Sequence, residues 1–184
     1  VTVALPANAN TTVVNYGSPS AATDCPDTEV DLNLLQGLPT GASFPAGINT
    51  VCYEASTSCG SRDTCCFNVH VTSLEITCPA NVTVALPNNT TTTVVNYTLP
   101  TATTDCPGAP ANVQLQQGLA SGGNFPAGVN NICYEATTTC GNQDACCFTV
   151  TVTTLDIQCP ANITVQLPVA AVTVPVTYNL PTTS

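Results

Sequence analysis

Twelve cysteines are the residues of this chain whose number and spacing promise chemistry: Cys25, Cys52, Cys59, Cys65, Cys66, Cys78, Cys106, Cys133, Cys140, Cys146, Cys147 and Cys159. Thiols at such density serve either metal ions or disulfides. Zinc sites draw their ligands from closely spaced pairs of the Cys-x-x-Cys kind. No such pair occurs, and the single His70 gives way to Thr151 at the matching place 81 residues on. A disulfide framework is the reading the spacing supports, and it assigns the chain to an oxidising, extracellular setting.

Other chemistry is thinly supplied. Carboxylates recur as Asp24/Asp105, Glu54/Glu135, Asp63/Asp144 and Glu75/Asp156, but none are adjacent and no third group recurs with them. Acid–base catalysis needs such a cluster. Arg62 is replaced by Gln143 in the corresponding loop. His70 reads as a strand surface residue. The expectation is that the chain is not an enzyme and holds no cofactor. Calcium at domain junctions, with Glu75 or Asp156 as oxygen ligands, is the alternative. No dense Asx cluster supports it, so solvated or hydrogen-bonded carboxylates are expected.

Charge narrows the partners. Of 184 residues 7% are charged, Arg62 is the sole Lys or Arg, and the formal net charge is −10. A chain with one cation cannot neutralise a phosphate backbone or cling to an anionic membrane. No apolar run approaches the ~20 residues of a membrane span. With no initiator Met and no signal-like leader, the chain is expected to be a processed or excised stretch of a longer precursor.

The cysteines must be positioned by a repeated scaffold. The first five, with Cys78, return in register as Cys106, Cys133, Cys140, Cys146, Cys147 and Cys159. FPAGIN at 44–49 returns as FPAGVN at 125–130, and CPANVTVALP at 78–87 as CPANITVQLP at 159–168. The expected division is a first repeat over 1–77 without its leading Cys-Pro, a second over 78–158, and the opening strands of a third over 159–184.

Fifteen prolines, 11 glycines and abundant Val, Thr and Asn favour strands and turns over helices. Apolar residues alternate at Val82, Val84 and Leu86, at Val95, Tyr97 and Leu99, at Ile132, Tyr134 and Ala136, and at Phe148, Val150 and Val152. Period-two runs bury one face of a strand. About seven short strands per repeat predict an all-β chain of tandem antiparallel sandwiches. Residues 140–144 (CGNQD) fall between two such runs as a hairpin loop. Cores this small favour covalent staples.

The order CPANVTV, VVNYTLPTATTDC, GLASGGNFPAGVN, CYEATTTCGN, CCFTVTV resembles the hyalin repeat (HYR) module. The resemblance implies an immunoglobulin-like extracellular domain, usually in tandem in adhesive and matrix proteins. Thr57 and Thr138 stand where that family commonly has Asp, and Cys133, Cys140 and the doubled Cys146-Cys147 look additional. By parity Cys146 faces inward while Cys147 and Cys133 face outward, so neighbouring cysteines cannot serve one target. The resemblance implies Cys106–Cys146, and Cys25–Cys65 as its equivalent; the other pairings stay open.

Asn-x-Ser/Thr occurs at Asn10, Asn81, Asn88, Asn89, Asn96 and Asn162. Sparse charge and a mean hydropathy of +0.23 leave solubility short of charged groups, and N-linked glycans would supply it. The functional expectation is an extracellular structural protein whose repeats form a glycosylated fibre, stalk or matrix filament. Its partners would be copies of itself in a linear array, with other matrix or surface glycoproteins besides. A cell-surface adhesin is the alternative, with loops 26–33 and 107–114, which differ most between copies, binding a protein or glycan. Filament assembly by strand exchange through 159–184 is a further option.

Overall fold

A computed structural model describes residues 1–108 and 110–183. It is all-β, as expected. In the first repeat β1 (Thr2–Ala4), β2 (Thr11–Val13), β3 (Asp31–Gln36), β4 (Ser43–Pro45), β5 (Gly47–Ser56) and β6 (Arg62–Thr72) follow in order. The second repeat holds β7 (Leu74–Thr77), β8 (Val82–Ala85), β9 (Thr92–Val95), β10 (Thr101–Thr104), β11 (Asn112–Gln117), β12 (Gly123–Pro126), β13 (Gly128–Thr137) and β14 (Gln143–Thr153). After them come β15 (Ile157–Gln158) and β16 (Thr182–Thr183).

One layer of each unit is a four-stranded sheet, β1-β6-β5-β3 in the first and β8-β14-β13-β11 in the second. Its centre is a long hairpin, and the opening strand joins it parallel to the last, Val82 opposite Val150. The facing layer is built from β2–β4 in the first unit, and from β9–β12 and β7–β10 in the second. This is the immunoglobulin-like sandwich arrangement.

The alternating residues fill the space between the layers. In the second unit Ile132, Tyr134, Ala136, Phe148, Val150 and Val152 from the hairpin meet Val95, Tyr97, Phe125 and Ile76. Leu99 departs from its pattern and is exposed. Tyr97 packs edge-on against Phe148 and Phe125, and its hydroxyl donates to the Leu119 carbonyl at 2.7 Å. Tyr16 repeats this, donating to the Leu38 carbonyl at 2.6 Å. A buried phenol needs such a partner.

Gly118 follows a bulge in β11, where the register with β13 slips between Leu115 and Gln117. Its φ is +92°, and a Cβ there would lie 2.5 Å from the Asn131 carbonyl oxygen. Gly37 has the same constraint against Thr50. Gly118→Ala is therefore expected to destabilise the second unit by more than about 1 kcal/mol. Chemical denaturation followed by circular dichroism checks this.

Two expectations change. The boundary after residue 77 falls inside a sheet: β7 pairs antiparallel with β10, Leu74 opposite Thr104, so the second unit begins at Leu74. The expected bonds Cys106–Cys146 and Cys25–Cys65 are not formed. Cys106 bonds Cys140 and Cys25 bonds Cys59, because those cysteines meet at the hairpin end of the sandwich. Cys146 faces inward, as parity predicts, but toward the end of β7, where it bonds Cys78.

Candidate functional site

The polar groups that converge in this molecule do so between the two units. One residue, Ser73, separates β6 from β7, so the hairpin loop 138–142 of the second unit reaches the end of the first. Asn142 at its tip is 2% exposed and Thr72 fully buried. The Asn142 Nδ2 donates to the carbonyls of Thr72 (2.7 Å) and Leu5 (3.2 Å). Its Oδ1 accepts from the hydroxyls of Thr72 (2.8 Å) and Thr138 (3.1 Å). Both donors and both acceptor sites of the carboxamide are thus used, which also fixes its orientation. A buried polar side chain so satisfied holds its two partners at one distance and angle.

One carboxylate of the second unit grips the connecting residue. Asp105 accepts from the Ser73 N–H (2.6 Å), the Ser73 hydroxyl (3.2 Å) and His70 Nε2 (3.1 Å). Asp144 accepts from the Ile76 N–H at 3.0 Å and so holds β7 within the second unit. His70 is therefore a junction residue and not a free strand surface residue. Arg62 remains exposed and pairs with Glu54 at 2.7 Å.

Burial raises the Asp105 carboxyl, but the Ser73 N–H, His70 and Ser73 hydroxyl together outweigh it and hold the group below the usual aspartate value. A depressed folded-state value means that the contribution is complete above the unfolded value near 3.8. It is lost as pH falls through the lower, folded value. The junction is expected to loosen below about pH 4 while each sandwich stays folded. Small-angle scattering across pH 2–6 beside far-ultraviolet circular dichroism would check it; scattering unchanged to pH 2 would count against the clamp.

No catalytic arrangement is visible at these residues. Burial first, then the Tyr53 bond, pushes Tyr16 up to about 12, and burial likewise raises Tyr97. Both stay protonated near neutrality. Among the described residues no group of three His, Cys, Asp or Glu could hold a metal ion. Asp105 and Asp144 are already engaged with backbone N–H groups, and Glu75 beside them is exposed.

The structure brings ten of the twelve cysteines into bonds. Cys52–Cys66 and Cys133–Cys147 bridge directly opposite positions of the central hairpins, on the outward face that parity assigned to Cys133 and Cys147. Cys65 and Cys159 are free and exposed. All six sequon asparagines are exposed; Asn81 also accepts from the Thr149 N–H, and Asn10 lines the cleft at the junction with Ser73 and Asp105. Residues 26–30 run from the stapled Cys25 to β3; the counterpart loop 107–114 includes residue 109, which lies outside the described residues. Sequence reasoning missed Asn142 as a functional residue. The available signal was that Ser61 replaces it in the first copy while the flanking glycine is kept.

Tandem immunoglobulin-like sandwiches, each stapled by disulfides and joined through a single residue, define a class of repeat module. The chain belongs to the HYR domain family, whose model matches residues 2–71 and 74–152. It is also similar to Hyalin of Strongylocentrotus purpuratus, 34% identical over 154 residues, which is 77% of this chain and 12% of that protein. The chain thus spans about an eighth of that relative's length.

Proposed function

We propose that the chain is a stretch of an extracellular structural array, in which tandem sandwiches form a glycosylated fibre, stalk or matrix filament. The observation that carries this is the junction. A one-residue connection, a fully satisfied Asn142 and the Asp105 carboxylate on Ser73 and His70 oppose bending between units. Such a joint suits a load-bearing rod; an adhesive loop display does not need it. Family membership and the similarity to Hyalin support an extracellular, non-catalytic role, and five disulfides support an oxidising setting. The exposed sequons offer sites for the sugar that a surface poor in charge calls for. Partners on this reading are further copies and other matrix glycoproteins.

Negative-stain microscopy of the native material tests it. Filaments with an axial repeat of one or two domain lengths are expected; isolated particles would overturn the array. Peptide mass spectrometry should find hexose on at least two of the six asparagines, and its absence from all six would remove the glycan part.

A further inference from the structure

The outward face of the second unit's four-stranded sheet carries a disulfide at its centre. Cys133 and Cys147 stand opposite each other on β13 and β14 and are bonded there. Strand parity turns both away from the core, so the bond lies on the surface: Cys147 is exposed and Cys133 half-buried. The facing layer packs on the other side of the sheet, against Ile132, Tyr134 and Phe148. Thiolates attack a disulfide at a rate that depends on access to its sulfurs. A bond so placed is open to exchange.

Asn81 stands beside it. It immediately precedes β8, the edge strand of the same sheet, whose Val82 lies opposite Val150. Its Oδ1 accepts from the Thr149 N–H at 2.9 Å. Thr149 lies two residues beyond Cys147 on β14 and opposite Asn131 on β13. The hydrogen bond fixes the carboxamide at the edge of β14 and leaves Nδ2, the atom that carries an N-linked sugar, without a partner among the described residues. Asn81, Asn131, Gln117, Thr149 and the two cysteines line one shallow cleft of about 430 Å³. Gln117 lies opposite Cys133 on the far strand, β11. Gln117 and Asn131 are both exposed, and among the described residues neither carboxamide has a partner.

We propose that an N-linked glycan on Asn81 folds back over this cleft and shields the Cys133–Cys147 bond from thiol exchange. This rests on the glycan part of the proposed function and gives one sugar a task other than solubility. Oδ1 stays on the Thr149 N–H when Nδ2 is substituted, so the sugar leaves from a fixed root. A hexosamine ring has a face of C–H groups, which suits the disulfide. Its edge of hydroxyl and N-acetyl groups suits the Gln117 and Asn131 carboxamides beside it. In attachment the oligosaccharide passes from a lipid diphosphate donor to Nδ2. The N–C bond forms, one N–H proton is lost and the lipid diphosphate leaves. The reaction opposed begins when a thiolate attacks one sulfur, giving a mixed disulfide and one cysteine thiolate. A second external thiol resolves it, leaving Cys133 and Cys147 reduced and the external pair oxidised. A bond uncovered about a tenth of the time is attacked at roughly a tenth of the rate.

The test uses the 184-residue chain secreted, with its disulfides intact, from a eukaryotic host that attaches N-glycans. Thr83→Ala removes the sequon but keeps Asn81 and its bond to Thr149, whereas Thr83→Ser keeps the sequon. Thr83 is exposed on β8, so folding is spared, and circular dichroism checks it. Peptide mass spectrometry reads the occupancy of Asn81. Reduced glutathione is then added, thiols are alkylated at intervals, and the opening of each bond is read separately. Asn81 should carry sugar in the parent chain. Thr83→Ala should speed the opening of Cys133–Cys147 roughly tenfold, and glycosylated Thr83→Ser should match the parent. Cys106–Cys140, at the hairpin end of the sandwich, should open at one rate in all three. An empty Asn81, an unchanged rate in Thr83→Ala, or an equal acceleration of Cys106–Cys140 would each overturn the shield. Sugar on other asparagines with Asn81 empty would leave the glycosylated array standing, so the two readings fail separately.

Discussion

Replacing Cys78 and Cys146 together by serine is expected to lower the stability of the second unit by about 4 kcal/mol. The bond spans 68 residues, nearly the whole sandwich, and the entropy it removes from the unfolded chain grows with the logarithm of that length. It also ties the end of β7 to β14 across the two layers. β7 is short and buries one large side chain deeply, Ile76. Without the tether its attachment rests on four paired positions and the Asp144 contact. The double variant should therefore expose Leu74 and Ile76. The contrasting pair is Cys133 and Cys147, 14 residues apart on strands already joined over ten paired positions. Their replacement should cost about 3 kcal/mol at most, because the hairpin ladder already restrains them. Guanidinium denaturation of both double variants, followed by circular dichroism, would decide. Equal midpoints would show that β7 is held by its packing and not by the bond. Serine pairs avoid leaving one thiol free to reshuffle.

Asn142→Ala is expected to uncouple the two units at a cost of about 3 kcal/mol. The alanine removes both donors from the Thr72 and Leu5 carbonyls and the acceptor from the Thr72 and Thr138 hydroxyls. Thr72 is fully buried, and a buried group left unpaired loses its hydration without return. The remaining tie, Asp105 on Ser73 and His70, holds the connecting residue but not the hairpin tip. Calorimetry should then show one shared transition dividing into two, and scattering should report a wider spread of interunit angles. Asn142→Ser, the residue the first copy carries at 61, should fall between, since a hydroxyl can replace one of the four contacts. Asn142→Asp should be worse than alanine, because a carboxylate would face two carbonyl oxygens. If Asn142→Ala kept a single transition at an unchanged midpoint, the junction would owe its rigidity to the backbone connection alone.

These two sites also divide what the order of residues decided from what the folded chain decided. Strand faces were legible. Val82 and Val84, Ile132 and Tyr134, and Phe148 and Val150 alternate, and alternation is a local property of extended backbone. The same parity placed Cys146 inward and Cys147 outward, and both stand so. The repeat and the existence of the hairpin were legible for the same reason, since identical spacing builds identical local structure; its loop, expected at 140–144, lies at 138–142 because β14 already starts at Gln143. The partners of the cysteines were not. Parity says which face a thiol occupies, not which strand end arrives opposite it. That Cys146 meets Cys78 and not Cys106 depends on β7 crossing to the facing layer. Nor could the period-two pattern assign Leu74–Thr77 to a unit, because a continuous run of strand residues carries no mark where one sheet ends. Asn142 looked like an ordinary turn residue beside its glycine. It became the centre of the junction only because folding carried its carboxamide, 70 residues along the chain, against Thr72.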